Sequence, residues 1–297
     1  MIARLQRLCT LLLCFLSVAG LMLGWQADRP GWALIATAAI LGGYGTFLAI
    51  EFALMVSHPR EASNPGPKRL ELLRAMWGEF CFAPIVFCWR QPFWSRRWPD
   101  HLPAHAHGRR GLLLIHGLIC NRGLWNPWLC RLRQLGIPYV ALDLEPAFGS
   151  IDDYVPAIEQ AIRRLEQATR LAPVVVAHSM GGLALRCWWA NSADDHRIHR
   201  AVTIATPHHG TWLARFGATT NARQMRRGSN WLRALEQREP PARASRFVCF
   251  HGNCDQIVFP LSTATLQGAD NRHLGGVAHV QMTARQEPWA EVLNALA

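Results

Sequence analysis

The stretch Pro173-Val-Val-Val-Ala-His-Ser-Met-Gly-Gly182 decides the fold of this 297-residue chain. Its three valines form a short apolar run typical of a buried parallel strand, and the run stops at small residues around Ser179. The residues that follow, 183–190, favour a helix. A serine in a strained turn between strand and helix needs very small residues two positions before and after it, and Ala177 and Gly181 meet that need. The stretch therefore predicts a nucleophile elbow rather than a serine in an ordinary turn.

Strand and helix patterns alternate on both sides of this elbow. The sequence predicts strands at 112–115, 137–142, 173–177 and 200–205, and helices at 123–135, 155–169 and 181–191. Such alternation is typical of a mostly parallel sheet with helices on both faces. We therefore predict one α/β domain over residues 111–297.

Two later positions supply the partners that a nucleophilic serine needs. Asp255 follows an apolar run, and His279 follows a glycine-rich segment. A neutral histidine accepts the serine proton, and a carboxylate orients that histidine and stabilises the imidazolium. The order Ser179, Asp255, His279 is the one expected on such a sheet, so we predict this catalytic triad. Structural roles in a turn or a cap are the alternatives. For a second acid, Asp143, a role in a turn or in the approach to a helix is favoured.

Backbone donors for the reacting carbonyl are predicted beside the serine. The strand at 112–115 ends at His116-Gly117-Leu118, where the N–H of Leu118 lies next to a glycine. An oxyanion needs preorganised N–H groups directed at it. We predict the N–H groups of Leu118 and Met180 as the oxyanion hole.

Four motifs together carry a family resemblance. They are His116-Gly117, Ala177-His-Ser-Met-Gly-Gly182, Ala205-Thr-Pro-His-His-Gly-Thr211 and Ala278-His279. These motifs resemble the α/β-hydrolase fold, and within it the bacterial triacylglycerol lipases and the GPI inositol-deacylase-like hydrolases. The Thr-Pro-His-His-Gly block discriminates best, because many other α/β-hydrolases lack it at this place.

The resemblance covers residues 111–297 and implies that Ser179 is the nucleophile, Asp255 the acid and His279 the base. Secreted lipases of this kind carry a calcium-binding aspartate two residues after the catalytic histidine, whereas this chain has Gln281 there. We therefore expect no calcium, and neither another metal nor a cofactor is predicted. The His-x-His pair at 105 and 107 could bind a metal, but solvated loop histidines are more common.

Two uncharged apolar runs precede the domain, in a chain that is 50% hydrophobic and 17% charged. Leu8–Ala27 and Gly31–Ile50 each extend over 20 residues, enough for a helix to cross a hydrocarbon core of about 30 Å. Only Asp28-Arg29-Pro30 separates them, so residues 1–57 are predicted to form a transmembrane helical hairpin. The basic residues before and after the two runs outnumber the single Arg29 between them, which predicts that the catalytic domain faces the cytoplasm. They are Arg4 and Arg7 before the first run, and Arg60, Lys68, Arg69 and Arg74 after the second.

One alternative for the N-terminus is a secretory signal. Arg4, Arg7, the first apolar run and Ser17-Val-Ala19 fit a signal cleaved after Ala19. The second run would then still stop transfer, unless it fails to span. The nine cysteines form an odd set without framework spacing or a C-x-x-C pair, which favours free thiols over disulfides or a zinc site.

Residues 58–110 are predicted to form a basic, aromatic segment between hairpin and domain. This segment has nine basic and four acidic residues and no nucleic-acid-binding motif, so we expect contact with an anionic membrane surface. A merely solvated basic surface is the alternative. Ser63-Asn-Pro-Gly-Pro67 is a linker by composition. Residues 70–89 predict a helix kinked at Pro84, lying either in the membrane interface or on the domain.

An insert at about 210–246 is predicted to form a cap over the site. Its apolar residues are Trp212, Phe216, Met225, Trp231, Leu232 and Leu235. Such residues suit an acyl chain, although packing on the sheet is an equal alternative. We predict a membrane-anchored lipase or esterase that acts on a lipid or another apolar acyl ester, with no nucleic-acid partner. The alternatives are an acyltransferase, a thioesterase, or a catalytically idle membrane-tethered interaction protein.

Overall fold

A parallel six-stranded sheet forms the centre of the protein. The computed structural model describes residues 1–59, 61 and 66–297, and the linker residues Ser63, Asn64 and Pro65 lie outside this part of the chain. The strands are β1 (Leu112–Ile115), β2 (Tyr139–Ala141), β3 (Val174–His178), β4 (Arg200–Ile204), β5 (Phe247–His251) and β6 (Asp270–His273). They lie in the order β2-β1-β3-β4-β5-β6, and every pairing is parallel.

In the described part of the chain, ten α-helices accompany the sheet. They are α1 (Ile2–Gln26), α2 (Pro30–Ser57), α3 (Arg69–Pro84), α4 (Gln91–Trp94), α5 (Asn126–Gln134), α6 (Val155–Thr169), α7 (Met180–Ala190), α8 (Thr220–Gln224), α9 (Asn230–Arg238) and α10 (Gln286–Leu296). Alternate residues of β1 enter two separate cores, one with α6 and α7 and the other with α5 and α10. This alternation follows from the two-residue period of a strand. The predicted α/β fold with helices on both faces is confirmed.

The sheet brings four loops to one edge. Because all strands run in the same direction, the segments that follow β1, β3, β5 and β6 lie at their carboxyl ends. These segments contain Gly117, Ser179, Asp255 and His279, respectively. Residues far apart in sequence therefore meet at one edge, where ligands bind in open α/β sheets.

Helices α1 and α2 form an antiparallel pair that projects from the domain. Buried residues near the base include Ile2 and Gln6 of α1 and Leu48 and Phe52 of α2, whereas large apolar side chains are exposed over much of the remaining length. Three helical segments, Ile2–Gln26, Gly31–Ser57 and Arg69–Trp94, are long and apolar enough to cross a membrane by length and composition.

Helix α3 packs on the domain, and the chain stays helical beyond Pro84. A π-helical turn at Ile85–Arg90 follows directly and leads into α4. The wider turn comes where the proline lacks an N–H and interrupts the regular hydrogen-bond ladder. Ala75 and Glu79 are buried, while Trp77 on the outer side is 68% exposed.

Candidate active site

Ser179 lies in a strained turn between β3 and α7. Its φ is 54° and its ψ is −130°, a conformation that a residue with a side chain rarely adopts. The Ser179 N–H donates to the carbonyl of Ile204 at 2.9 Å. Gly181 and Gly182 lie where a Cβ would collide with the carbonyl of His116 and with the side chain of Thr206. These close approaches explain the small residues of the motif.

Asp255 and His279 form a buried pair. Nδ1 of His279 lies 2.9 and 3.0 Å from the two carboxylate oxygens of Asp255. Oδ1 of Asp255 also accepts hydrogen bonds from the N–H groups of Ile257, at 2.9 Å, and Val258, at 2.8 Å. An ionised carboxylate only accepts, so Nδ1 carries the hydrogen and Nε2 of neutral His279 is left as a base.

The pKa of His279 is raised from its usual value. Burial alone would lower this pKa, but the charge of Asp255, its hydrogen bond and the nearby carboxyl groups of Glu79 and Glu51 outweigh burial. A carboxylate beside an imidazole favours the protonated form. The surroundings of His279 therefore stabilise the imidazolium that proton transfer from a serine would produce.

His279 lies beside the residue that precedes Ser179. The His178 and His279 rings are 4.7 Å apart between centroids, and Nε2 of His178 is 3.2 Å from the carbonyl oxygen of His279. Burial holds the pKa of His178 well below its usual value, so Nε2–H of neutral His178 donates to that carbonyl. Among the described residues, the Ser179 hydroxyl has no hydrogen-bond partner. In enzymes without bound substrate, the hydrogen bond between a catalytic serine and its histidine is often long or poorly aligned.

The loop after β1 lies directly against Ser179. A Cβ placed on Gly117 would be 2.8 Å from Cβ of Ser179. Within the described part of the chain, the N–H groups of Leu118 and Met180 make no hydrogen bond. Ile119 has a strained φ of 56°, and its carbonyl accepts a hydrogen bond from Nε2 of Gln6 on α1 at 3.0 Å.

Two other predicted candidates have structural partners. Nε2 of His116 accepts a hydrogen bond from the N–H of Leu144 at 2.9 Å, and burial lowers the pKa of this histidine. Oδ1 of Asp143 accepts from the N–H of Arg122 at 2.9 Å. Asp143 therefore stabilises a turn, as the sequence favoured, and Asp255 is the carboxylate that contacts His279.

The Thr-Pro-His-His-Gly-Thr block connects the elbow helix to the Asp255 loop. Oγ1 of Thr211 donates to the carbonyl of Ile257 at 2.5 Å, and the carbonyl of buried His208 accepts from Arg186 on α7 at 2.6 Å. Arg186 in turn pairs with Glu239. These polar groups therefore hold the loops in place, and among the described residues none of these side chains makes a hydrogen bond with His279 or Ser179.

The insert at 210–246 packs mostly on the domain. Met225, Leu232 and Leu235 are buried in the core, whereas Phe216 is 66% exposed. In the described residues, no group of three or more His, Cys, Asp or Glu side chains could hold a metal ion.

Sequence reasoning missed three polar residues that support the site, namely Gln6, Glu79 and Gln256. Glu79 and Gln256 bind the loop of His279, and Gln6 binds the loop of Gly117. The only available signal was for Glu79, the single acidic residue between positions 72 and 99.

Comparison with known proteins identifies the family. A sequence model of the alpha/beta hydrolase family matches residues 112–296. The chain belongs to the alpha/beta hydrolase family. The match begins at β1 and ends in α10, so α1 to α4 of this hydrolase lie outside it.

Solved structures of similar fold include two lipases. The mature form of Bacillus licheniformis lipase BlEst2 is 16% identical, with a TM-score of 0.57 over 67% of this hydrolase and 97% of the lipase. Aspergillus fumigatus lipase B is 20% identical, with a TM-score of 0.56 over 66% of this hydrolase and 55% of that chain. At these identities the likeness concerns the fold. No curated protein sequence matches the hydrolase. The predicted α/β-hydrolase resemblance is confirmed.

Proposed function

We propose that this protein is a membrane-anchored serine esterase or lipase that cleaves a carboxylic ester of a lipid or another apolar acyl compound. The observation that carries the proposal is the buried His279–Asp255 pair, at 2.9 Å, beside a serine in the strained turn between β3 and α7. The family membership and the lipase fold neighbours support carboxylic ester hydrolysis.

The proposed reaction passes through an acyl-enzyme. Oγ of Ser179 attacks the ester carbonyl carbon while Nε2 of His279 takes the hydroxyl proton, and Asp255 stabilises the resulting imidazolium. The N–H groups of Leu118 and Met180 stabilise the oxyanion. The tetrahedral intermediate collapses, the alcohol leaves with the proton from His279, and water then releases the acid by the same steps.

The membrane anchor in this proposal is the pair α1 and α2. From Leu8 to Gln26, α1 is about 28 Å long at 1.5 Å per residue, and residues 30–47 of α2 measure about 27 Å. Both values approach the roughly 30 Å of a hydrocarbon core. We further propose three parts: residues 1–57 as the anchor, 58–110 as a linking segment, and 111–297 as the catalytic domain with a cap at about 210–246.

The position of the hairpin supports a substrate that resides in the membrane. The base of α1 contacts the Gly117 loop through Gln6, and the end of α2 packs with Cys254 and Ala278, the neighbours of Asp255 and His279. Both contacts lie at the sheet edge that carries Ser179. A hairpin inserted in lipid would therefore hold this edge toward the bilayer, so that an ester in the adjacent leaflet has a short path to the serine.

Covalent labelling tests the proposed nucleophile. The full-length protein in detergent is treated with a fluorophosphonate probe and assayed on esters of graded acyl length. Ser179→Ala should abolish labelling and lower turnover by about a millionfold, while the matched variant Ser245→Ala, at an exposed serine, stays active. A Ser179→Ala protein that keeps one tenth of wild-type activity would refute the assignment.

A reporter fused after Ala297 tests the proposed cytoplasmic side. Arg4 and Arg7 lie at the start of α1, before its apolar run, Lys68 and Arg69 follow the hairpin, and Arg29 lies at its turn. Arg60, which also follows the second apolar run, lies outside the described residues. Cationic segments resist translocation, so two spans predict cytoplasmic fluorescence in a bacterial host. Strong periplasmic phosphatase activity of the fusion would contradict this topology.

A further inference from the structure

We propose that Glu79 of α3 is a positioning residue that joins the loops carrying Asp255 and His279. The inference rests on the triad proposed above and concerns a helix outside the family match, which begins at residue 112. It assigns to the N-terminal segment a part in catalysis besides attachment to a membrane.

Glu79 binds the two residues that follow His279. Its Oε1 accepts the N–H of Val280 at 3.0 Å, and its Oε2 accepts the N–H of Gln281 at 3.0 Å. One carboxylate thus receives two successive backbone donors. Such charge-assisted bonds are stronger than those between neutral groups, so the backbone beside His279 is fixed to α3.

Gln256 extends this contact to the Asp255 loop. Its Nε2 donates to Oε1 of Glu79 at 3.3 Å, and its Oε1 accepts the N–H of His279 at 3.2 Å. The N–H groups of residues 279, 280 and 281 are therefore all held by Gln256 and Glu79. Because Gln256 directly follows Asp255, the same network fixes both partners of the 2.9 Å Asp255–His279 contact.

The helix that carries Glu79 lies close against the histidine loop. A Cβ on Gly78 would collide with the side-chain amide of Gln281, and Ala75 is fully buried against α2 and the neighbours of the triad. Small residues permit this approach. A positioning group on a packed helix holds a loop more accurately than one on another loop.

Burying the carboxylate of Glu79 costs desolvation free energy. Glu79 is 2% exposed, and among the described residues it has no lysine or arginine partner. Burial raises the pKa of this carboxyl, opposed by its backbone hydrogen bonds and by His279. A neutral residue would avoid the desolvation of a charge. A carboxylate is what can accept two N–H groups and also act on the charge of His279.

Several titratable groups surround Glu79 and His279. His279 faces Asp255, Glu79 of α3, Glu51 of α2 and His178 of the elbow. Glu79 faces His279 and Glu51, and Tyr44 of α2 donates to its backbone carbonyl at 3.3 Å. Since Glu79 is among the carboxyl groups that raise the pKa of His279, neutralising Glu79 should lower that pKa.

The test compares Glu79→Gln with Glu287→Gln in the full-length detergent-solubilised protein. Glu287 is an exposed residue of α10 that pairs with Arg285. We measure the fluorophosphonate labelling rate, and kcat and KM on a short-chain ester across pH. Displacement of catalytic groups by about 1 Å costs on the order of 100-fold, so Glu79→Gln should lose about that in kcat with little change in KM. The acidic limb of its pH profile for kcat should move to lower pH, whereas Glu287→Gln stays within about twofold of wild type.

Glu79→Asp separates the positioning of the histidine loop from the effect of the Glu79 charge on His279. It also tests the proposal if Glu79→Gln fails to fold. It keeps the charge but is too short to reach both N–H groups, so kcat falls while the acidic limb stays near that of wild type. Unchanged kcat in a folded Glu79→Gln or Glu79→Asp protein would overturn the positioning role of Glu79 and leave the proposed function standing. A wild type that neither labels nor hydrolyses would instead refute the proposed function, and the role of Glu79 with it.

Discussion

The close approach of Gly117 to Ser179 makes Gly117→Ala a sharp steric probe of the proposed oxyanion hole. Gly117 does not have a positive φ, so the strain that a side chain meets in the left-handed region does not arise there. The new Cβ would lie 2.8 Å from Cβ of Ser179 and 3.2 Å from Nδ1 of His178. Ordinary carbon contacts are about 3.5–4.0 Å, so the loop must retreat by about 1 Å.

That retreat sets the expected loss of activity. A displacement of about 1 Å costs on the order of 100-fold, and loss of one oxyanion donor costs about 100- to 1,000-fold. We therefore expect kcat of Gly117→Ala to fall at least about 100-fold. Overpacking should also lower the free energy of unfolding by about 1–3 kcal/mol.

The assay is burst hydrolysis of a short-chain ester together with the rate of fluorophosphonate labelling at Ser179. Gly275→Ala is the matched control in the loop before His279, because its Cβ would lie at an ordinary 3.6 Å from the His273 ring. This control should stay within about twofold of wild type. If Gly117→Ala hydrolyses and labels at the wild-type rate, the Gly117 loop does not supply an oxyanion donor.

Two further predictions concern the proposed triad and the Gly117 loop. Asp255→Asn should lower kcat by about ten-thousandfold. The acidic limb of its pH profile for kcat should move to lower pH, because Asp255 raises the pKa of His279. An Asp143→Asn protein that is equally inactive would contradict the choice of Asp255 as the acid. Gln6→Leu should slow labelling about tenfold through the loss of its bond to Ile119, and a labelling rate equal to that of wild type would show that α1 does not position this loop.

Local sequence pattern predicted several elements of the domain accurately, although β5 and β6 were not among the predicted strands. Helix α6 occupies the predicted 155–169, and β3 and α7 lie within one residue of the predicted strand and helix. These segments have strong periodicity and clear ends, which are local properties. The elbow was visible for the same reason, since the steric demands of Ser179 act on its immediate neighbours.

The proposed partners of Ser179 could be predicted in part from the sequence. Asp255 and His279 each follow a strand end, and the order along the chain limits the choice. Which of two carboxylates contacts the histidine depends on the strand order, because β5 lies between β4 and β6 while β2 is at the far edge of the sheet. That placement explains why Asp255 contacts His279 whereas Asp143 binds a turn.

The sequence by itself determined the alternating domain, the elbow and two N-terminal segments apolar enough to cross a membrane. Only the tertiary structure decided where those segments dock: Gln6 on the Gly117 loop, and Glu79 on the loop after His279. The physical reason is that these contacts join residues more than 100 positions apart through single polar side chains. Periodicity and turn chemistry depend on neighbours along the chain. The role of a buried carboxylate such as Glu79 depends instead on the backbone N–H groups that folding brings within hydrogen-bond distance.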